Sequence, residues 1–178
     1  MQTEINEIKR LIRDIPDFPE KGVIFKDITP LLKNPRVFRI SLDKISDLID
    51  EWDFDCIVSP ESRGFIFAAP LAYKMEKEFV PVRKPGKLPY KTRAQHYELE
   101  YGKASIEVHN DAFEPGWRVL VHDDLLATGG TAGAAAQLIQ SFDATLVGFS
   151  FLINLCFLPG ESNLIKRFGV KPHYLASY

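Results

Sequence analysis

The chain reads as an α/β protein whose central parallel sheet is flanked by helices, with a small N-terminal hood. Three observations carry that reading. The apolar runs FDCIVS, EFVPVRK, WRVLVHDD and TLVGFSFLI have strand length and alternate with helical segments. They are apolar on successive residues, as strands covered on both faces are. Residues 1–34 differ, an amphipathic helix followed by the proline-rich stretch PDFPEKGVIFKDITPLL, whereas residues 35–178 hold the alternating series.

The elements follow in order. Ile5, Ile8, Leu11, Ile12 and Ile15 recur at helical spacing, so an amphipathic helix is expected until Pro16 and Pro19 stop it. The stretch PDFPEKGVIFKDITPLL reads as loops with one short strand. Asn34 and Pro35 look like an N-cap and first helical position. Phe38, Leu42, Ile45, Leu48, Ile49 and Trp52 continue a helical stripe. FDCIVS is a buried strand, GFIFAAPLAYKM a helix interrupted by Pro70, and EFVPVRK a strand. HYELEY and ASIEVH alternate with period two around Gly102-Lys103 and read as a hairpin. WRVLVHDD is a strand, TAGAAAQLIQSF the helix after it, and TLVGFSFLI closes the series.

Composition excludes several function classes. Hydrophobic residues at 46% and charged residues at 26% describe a globular protein. A net charge of −2 draws neither nucleic acid nor an anionic membrane surface. The longest apolar stretch, Leu146 to Leu158, is broken by Gly148, Ser150 and Asn154, short of the roughly 20 residues a span needs. The N-terminus has no secretory core. Cys56 and Cys156 lie in apolar runs and read as free, buried thiols, since two cysteines make no disulfide framework. A cytoplasmic protein is expected.

The most informative stretch runs from Val119 to Gly133. An apolar strand ends in Asp123 and Asp124, a loop of small residues follows, and a helix then begins. Ligands of open α/β sheets bind at the carboxyl ends of strands. Ala127, Thr128, Gly129, Gly130 and Thr131 offer unobstructed N–H groups, hydroxyls and the positive end of a helix, a cradle for a phosphate monoester. Two acids beside a phosphate repel it, but they suit a ligand with hydroxyls or a metal-bound water next to that phosphate. A ribose 5-phosphate has that form. A P-loop requires a lysine that this loop lacks, and Thr128 occupies the first glycine of a dinucleotide fingerprint.

DDLLATGGT resembles the phosphoribosyl pyrophosphate (PRPP) motif of the type I phosphoribosyltransferases, in the form typical of the adenine-specific members. The likeness spans nearly the whole chain. PDFPEKGVIFKDITPLL resembles that family's base-binding region, ESRGF its pyrophosphate loop, RKPGKLP the entrance of its mobile loop and YELEYGKASIEV the end. The resemblance implies the type I fold, a homodimer, and purine salvage in which PRPP and adenine give AMP and pyrophosphate. It implies Mg2+ that arrives with PRPP rather than in a dedicated protein cage.

Roles follow residue by residue. Ala127 to Thr131 match the 5-phosphate cradle, and Asp123 and Asp124 the ribose and metal-water contacts. Arg63, whose guanidinium fork suits a diphosphate, matches a pyrophosphate ligand, with a cis peptide implied near Glu61-Ser62. Arg83, Lys84 and Lys87 match further pyrophosphate contacts on a lid of about residues 84–100, whereas Lys91 and Arg93 read as solvated. Ile24, Phe25, Lys26 and Leu125 match the adenine site, with Phe25 as the stacking ring. Glu100 matches the general acid–base and Tyr101 an aromatic that closes with the lid; Glu98 shares the strand face of Glu100 and is its solvated neighbour.

Some positions depart from the family pattern. Asn154 stands where a glutamate is expected, Glu161-Ser162 replaces an arginine near Gly160, and His122 replaces an aliphatic residue. His122 is expected to neighbour the site without catalysing. His96, His109 and His173 show no metal-ligand spacing. Two alternatives stay open: a phosphoribosyltransferase for xanthine, guanine or orotate, and a PRPP-sensing regulator without catalysis. PDFP…GVIFKDI favours adenine over the first. Arg63, the basic lid and Glu100 favour turnover over the second, for which the sequence offers no room for a winged helix before its first motif.

Overall fold

The computed structural model describes residues 2–99 and 102–178. Two compact units emerge, Met1–Lys44 and Ile45–Tyr178, divided within a long helix.

In the first unit, helix α1 (Gln2–Arg10) precedes strand β1 (Arg13–Pro16), which pairs antiparallel with β2 (Ile24–Asp27). The expected helix therefore ends before Ile15, which sits in β1 opposite Phe25. Apolar spacing alone does not separate a last helical turn from a short strand, and here the ladder with β2 takes the backbone. Asp27 ties that ladder to the short helix α2 (Thr29–Leu32): its carboxylate accepts from Thr29 Oγ1 at 2.6 Å, Thr29 N–H at 2.9 Å and Arg13 Nη2 at 2.6 Å. These bonds, the Thr29 hydroxyl foremost, hold its pKa at about 2. Asn34 caps α3 (Pro35–Ile49) as expected, its Oδ1 accepting from Val37 N–H at 3.1 Å.

The second unit contains β3 (Cys56–Pro60), α4 (Gly64–Met75), β4 (Glu78–Val82), β5 (Thr92–Leu99), β6 (Gly102–His109), β7 (Arg118–Leu126), α5 (Gly130–Gln140), β8 (Thr145–Asn154), α6 (Gly160–Phe168) and β9 (His173–Ser177). Five strands form one parallel sheet in the order β4-β3-β7-β8-β9. Pro81 lies in β4, at the edge, where its missing N–H leaves no central ladder bond unmade. Val119, Val121, Phe149 and Phe151 pack with Ala132, Ala135, Leu138 and Ile139 of α5 in one fully apolar core. The small alanines let α5 come close to the sheet. Across the sheet, Phe67 of α4 lies 6.4 Å from the His122 ring, centroid to centroid.

Three details differ from expectation. Helix α4 continues through Pro70 without interruption. The hairpin strands pair from Thr92↔His109 to Leu99↔Gly102, so Gly102 and Lys103 belong to β6 instead of a turn. Two elements, α6 and β9, extend the series beyond TLVGFSFLI. Main-chain bonds between Arg83 and Glu107, at 2.9 and 2.7 Å, fasten this hairpin to the end of β4. Of the cysteines, Cys56 is buried, with its thiol pushed up to about 12 by burial, while Cys156 is exposed, contrary to expectation; both are free.

Candidate active site

From β3 the chain steps outward to β4 and later returns to lay β7 on the other side of β3. The carboxyl ends of β3 and β7 thus flank the point where strand order reverses, the usual crevice for a ligand in such sheets. Both loops singled out in the sequence emerge there: Glu61–Arg63 after β3, and Ala127–Gly129 after β7.

The β7 loop encloses a cavity of about 80 Å³ lined by Asp123, Leu125 and every residue from Leu126 to Ala132, with Phe151. Gly129 has a φ of +80°, a left-handed conformation that a side chain disfavours, and it leads directly into α5. The unpaired N–H groups of the first turn of α5 give this end a partial positive charge. Thr131 Oγ1 lies 3.3 Å from Tyr97 Oη of β5. It also lines a second cavity of about 310 Å³ with Pro60, Glu61, Lys84, Pro85 and Ser105. The cavities therefore share Thr131, one offering a phosphate cradle and the other setting Lys84 and Glu61 on its wall.

Asp123 and Asp124 lie near the carboxyl end of β7, which runs on past the expected strand end to Leu126. Asp124 N–H donates to Asp123 Oδ1 at 2.8 Å. Burial, and then the Asp124 charge, push the Asp123 carboxyl well above its usual range. Burial also raises Asp124, against the opposing pull of Arg63. Arg63 Nε stands 2.8 Å from Asp124 Oδ2, a close ionic contact whose direction is not that of an aligned hydrogen bond. Asp124 is only 4% exposed, so this pairing keeps a buried charge tolerable. The Glu61–Ser62 peptide is cis, as the resemblance implies.

Two carboxylates held above their usual range would be relieved by a nearby cation, which fits a hydrated Mg2+ carried in by a ligand. Among the described residues, no group of three or more His, Cys, Asp or Glu is arranged to hold a metal.

The other expected residues divide. Arg83 reaches the site but engages Glu61, whose carboxyl it holds below the ordinary range. Lys84 lines the second cavity, and Lys87 is exposed on the turn that its N–H closes on Lys84 O at 3.2 Å. Leu125 lines the first cavity. Within the first unit, Ile24 is 53% exposed, Phe25 meets Phe18 edge-on at 5.2 Å, and Lys26 Nζ is paired with Asp14 at 2.6 Å. Glu100 and Tyr101 lie outside the described residues. Arg93 is not simply solvated: its guanidinium lies 4.0 Å from the Phe142 ring centroid. His122 is fully buried, 3.3 Å from Ser150 Oγ, and burial lowers its pKa to about 3, so it stays neutral.

Sequence reasoning missed Tyr97, Ser59 and Gly64. A Cβ on Gly64 would lie 2.4 Å from Ser59 Oγ and 2.6 Å from Asp123 Oδ1. The glycine of ESRGF is thus required by the close approach of α4 to Asp123, a demand that the motif hints at without revealing its partner.

Known proteins resemble this chain in both sequence and fold. The pattern of the phosphoribosyl transferase domain matches residues 27–162. An adenine phosphoribosyltransferase of Petrotoga mobilis is 63% identical over 161 residues, covering 90% of this chain and 93% of its own. The crystal structure of adenine phosphoribosyltransferase from Thermoanaerobacter pseudethanolicus superposes with a TM-score of 0.94 at 48% identity, covering 98% of this chain and 99% of the other. The Saccharomyces cerevisiae adenine phosphoribosyltransferase, complexed with an imino-altritol bisphosphate and adenine, superposes at 0.89 with 35% identity, covering 98% and 99%. The chain belongs to the adenine phosphoribosyltransferases, within the family of the phosphoribosyl transferase domain.

Proposed function

We propose that this chain serves purine salvage by transferring the 5-phosphoribosyl group of PRPP to adenine, releasing AMP and pyrophosphate. The observation that carries the reading is the placement of Asp123 and Asp124 beside the Ala127–Thr131 cradle, at the crevice between β3 and β7. The cradle takes the 5-phosphate, and the carboxylates take the ribose hydroxyls. The basic residues after β3 and β4, Arg63, Arg83, Lys84 and Lys87, take the pyrophosphate; Arg83 exchanges its Glu61 contact for it. When bound with PRPP, Mg2+ neutralises charge on the leaving group.

Phe25 supplies the stacking ring for adenine, with Ile24 and Leu125 as apolar contacts. The side chain of Lys26 already has Asp14 as partner, so its main chain is the part left for the base. Glu100 moves the proton that makes adenine a better nucleophile, and Tyr101 closes over the bound substrates. Rate acceleration comes from positioning and from charge placed where pyrophosphate departs.

The protein works in the cytoplasm as a homodimer. Ile66 and Tyr73, seven residues apart and so on one face of α4, are 39% and 89% exposed and offer apolar surface for such a contact. No described helix is long and apolar enough to cross a membrane.

The test is AMP formation from PRPP with adenine, and nucleotide formation with guanine, hypoxanthine and xanthine, each with and without magnesium. Magnesium-dependent turnover of adenine alone is the expected result. Preference for an oxopurine overturns the base assignment, and bound PRPP without turnover overturns the enzymatic one.

A further inference from the structure

The first turn of α6 touches the back of the Ala127–Gly129 loop at successive peptide groups. A Cβ on Gly160 would lie 2.2 Å from Ala127 O, so Gly160 is packed directly against that carbonyl. Asn163 Nδ2 donates to Thr128 O at 3.0 Å. Neither peptide is cis, so each N–H points opposite to its carbonyl. With the carbonyls of Ala127 and Thr128 turned toward α6, the N–H groups of Thr128 and Gly129 are turned away from it, and both residues line the cavity that also includes Asp123.

Helix α6 is itself anchored. Glu161 Oε2 accepts from Asn154 Nδ2 and from Tyr174 Oη, both at 3.2 Å, tying the helix to β8 and β9. Asn154 and Glu161, two of the positions expected to depart from the family pattern, are paired with each other.

We infer that Asn163 is a positioning residue for the substrate's 5-phosphate: its amide turns the Thr128–Gly129 peptide so that the Gly129 N–H faces the phosphate, while the Asn154–Glu161–Tyr174 cluster holds α6 at the required depth. The inference rests on the proposed function for the identity of the phosphate ester. It assigns work to residues that touch no substrate.

The test titrates the full chain and its Asn163→Leu and Asn163→Asp variants calorimetrically with ribose 5-phosphate, AMP and adenosine. Leucine removes the donor at similar size, and aspartate sets a carboxylate against Thr128 O. Dissociation constants for ribose 5-phosphate and AMP are expected to rise about fivefold in the leucine variant and about tenfold or more in the aspartate variant. Adenosine, which lacks the phosphate, is expected to bind all three proteins alike; a merely structural role would weaken it too. Equal AMP and ribose 5-phosphate affinity in parent and variants overturns the inference alone, as does a parallel loss for adenosine. A parent that binds ribose 5-phosphate without forming AMP overturns only the enzymatic reading. A parent that binds no ribose 5-phosphate overturns both.

Discussion

Replacing Gly64 by alanine tests whether the Asp123 carboxylate is held where the proposed ribose contact needs it. The new Cβ would stand 2.4 Å from Ser59 Oγ, 2.6 Å from Asp123 Oδ1 and 3.3 Å from Asp123 Cα. Ordinary contact begins near 3.4 Å, so the hydroxyl and the carboxylate must each retreat by about 1 Å. Ser59 is fully buried, with little room for its hydroxyl to move. Asp123 Cα belongs to β7, a central strand, so the carboxylate must rotate instead. That rotation abandons the bond from Asp124 N–H. Overpacking of this kind costs about 1–3 kcal/mol of stability. A catalytic contact misplaced by about 1 Å costs about a hundredfold in rate. The assays are thermal unfolding and kcat/KM for PRPP with saturating adenine. A melting point lower by about 2–4 °C per kcal/mol lost is expected, with kcat/KM down about a hundredfold. Removing the hydroxyl as well, in Ser59→Ala with Gly64→Ala, should recover stability but not rate, because the clash with Asp123 remains. Activity of Gly64→Ala within threefold of the parent, at an unchanged melting point, would refute the reasoning.

Three further outcomes are expected. Asp123→Asn should raise the melting point at pH 7 in magnesium-free buffer by roughly 2–4 °C while lowering kcat/KM, since it removes one charge of a buried like-charged pair. Because folding raises the Asp123 pKa, the parent loses stability as pH rises from the unfolded value through the folded one; the gain should therefore shrink as pH falls toward 4. Glu100→Gln should cut kcat by about 10²–10⁴ with little change in the KM for PRPP, and steady-state AMP formation checks it. Chelation of magnesium should abolish turnover and leave the melting curve of the free protein unchanged, as fits a metal that travels with the substrate.

The sheet was legible because its inner strands are covered on both faces and so spell continuous apolar runs. β3, buried at every residue, and the seven buried residues that end β8 are examples. α6 and β9 were not legible. α6 buries only Gly160 and Leu164, and β9 leaves His173 and Tyr174 half-buried, too little apolar pattern to mark either element. Ile15 misled because its apolar spacing suits a helix while its backbone pairs with β2. The motif residues Asp123, Asp124 and Ala127 to Thr131 could be placed from sequence because one strand, one loop and one helix carry them consecutively. Tyr97, Gly64 and Asn163 reach the same region from distant parts of the chain, and nothing local announces that meeting.

The pairing of β3 with β7 makes the main chain a ruler. Cys56↔Val119, Ile57↔Leu120 and Val58↔Val121 lock the strands side by side, and neighbouring strands run about 4.8 Å apart. The loops that leave them carry Arg63 on one side and the Ala127–Thr131 cradle on the other. The span between those loops is therefore graduated by backbone hydrogen bonds, which side-chain substitutions leave untouched. On the proposed function, a diphosphate-bearing sugar of one length is gauged, and a donor with its phosphates set closer or farther apart misses a mark. Drift in base preference can then proceed without recalibrating the donor end.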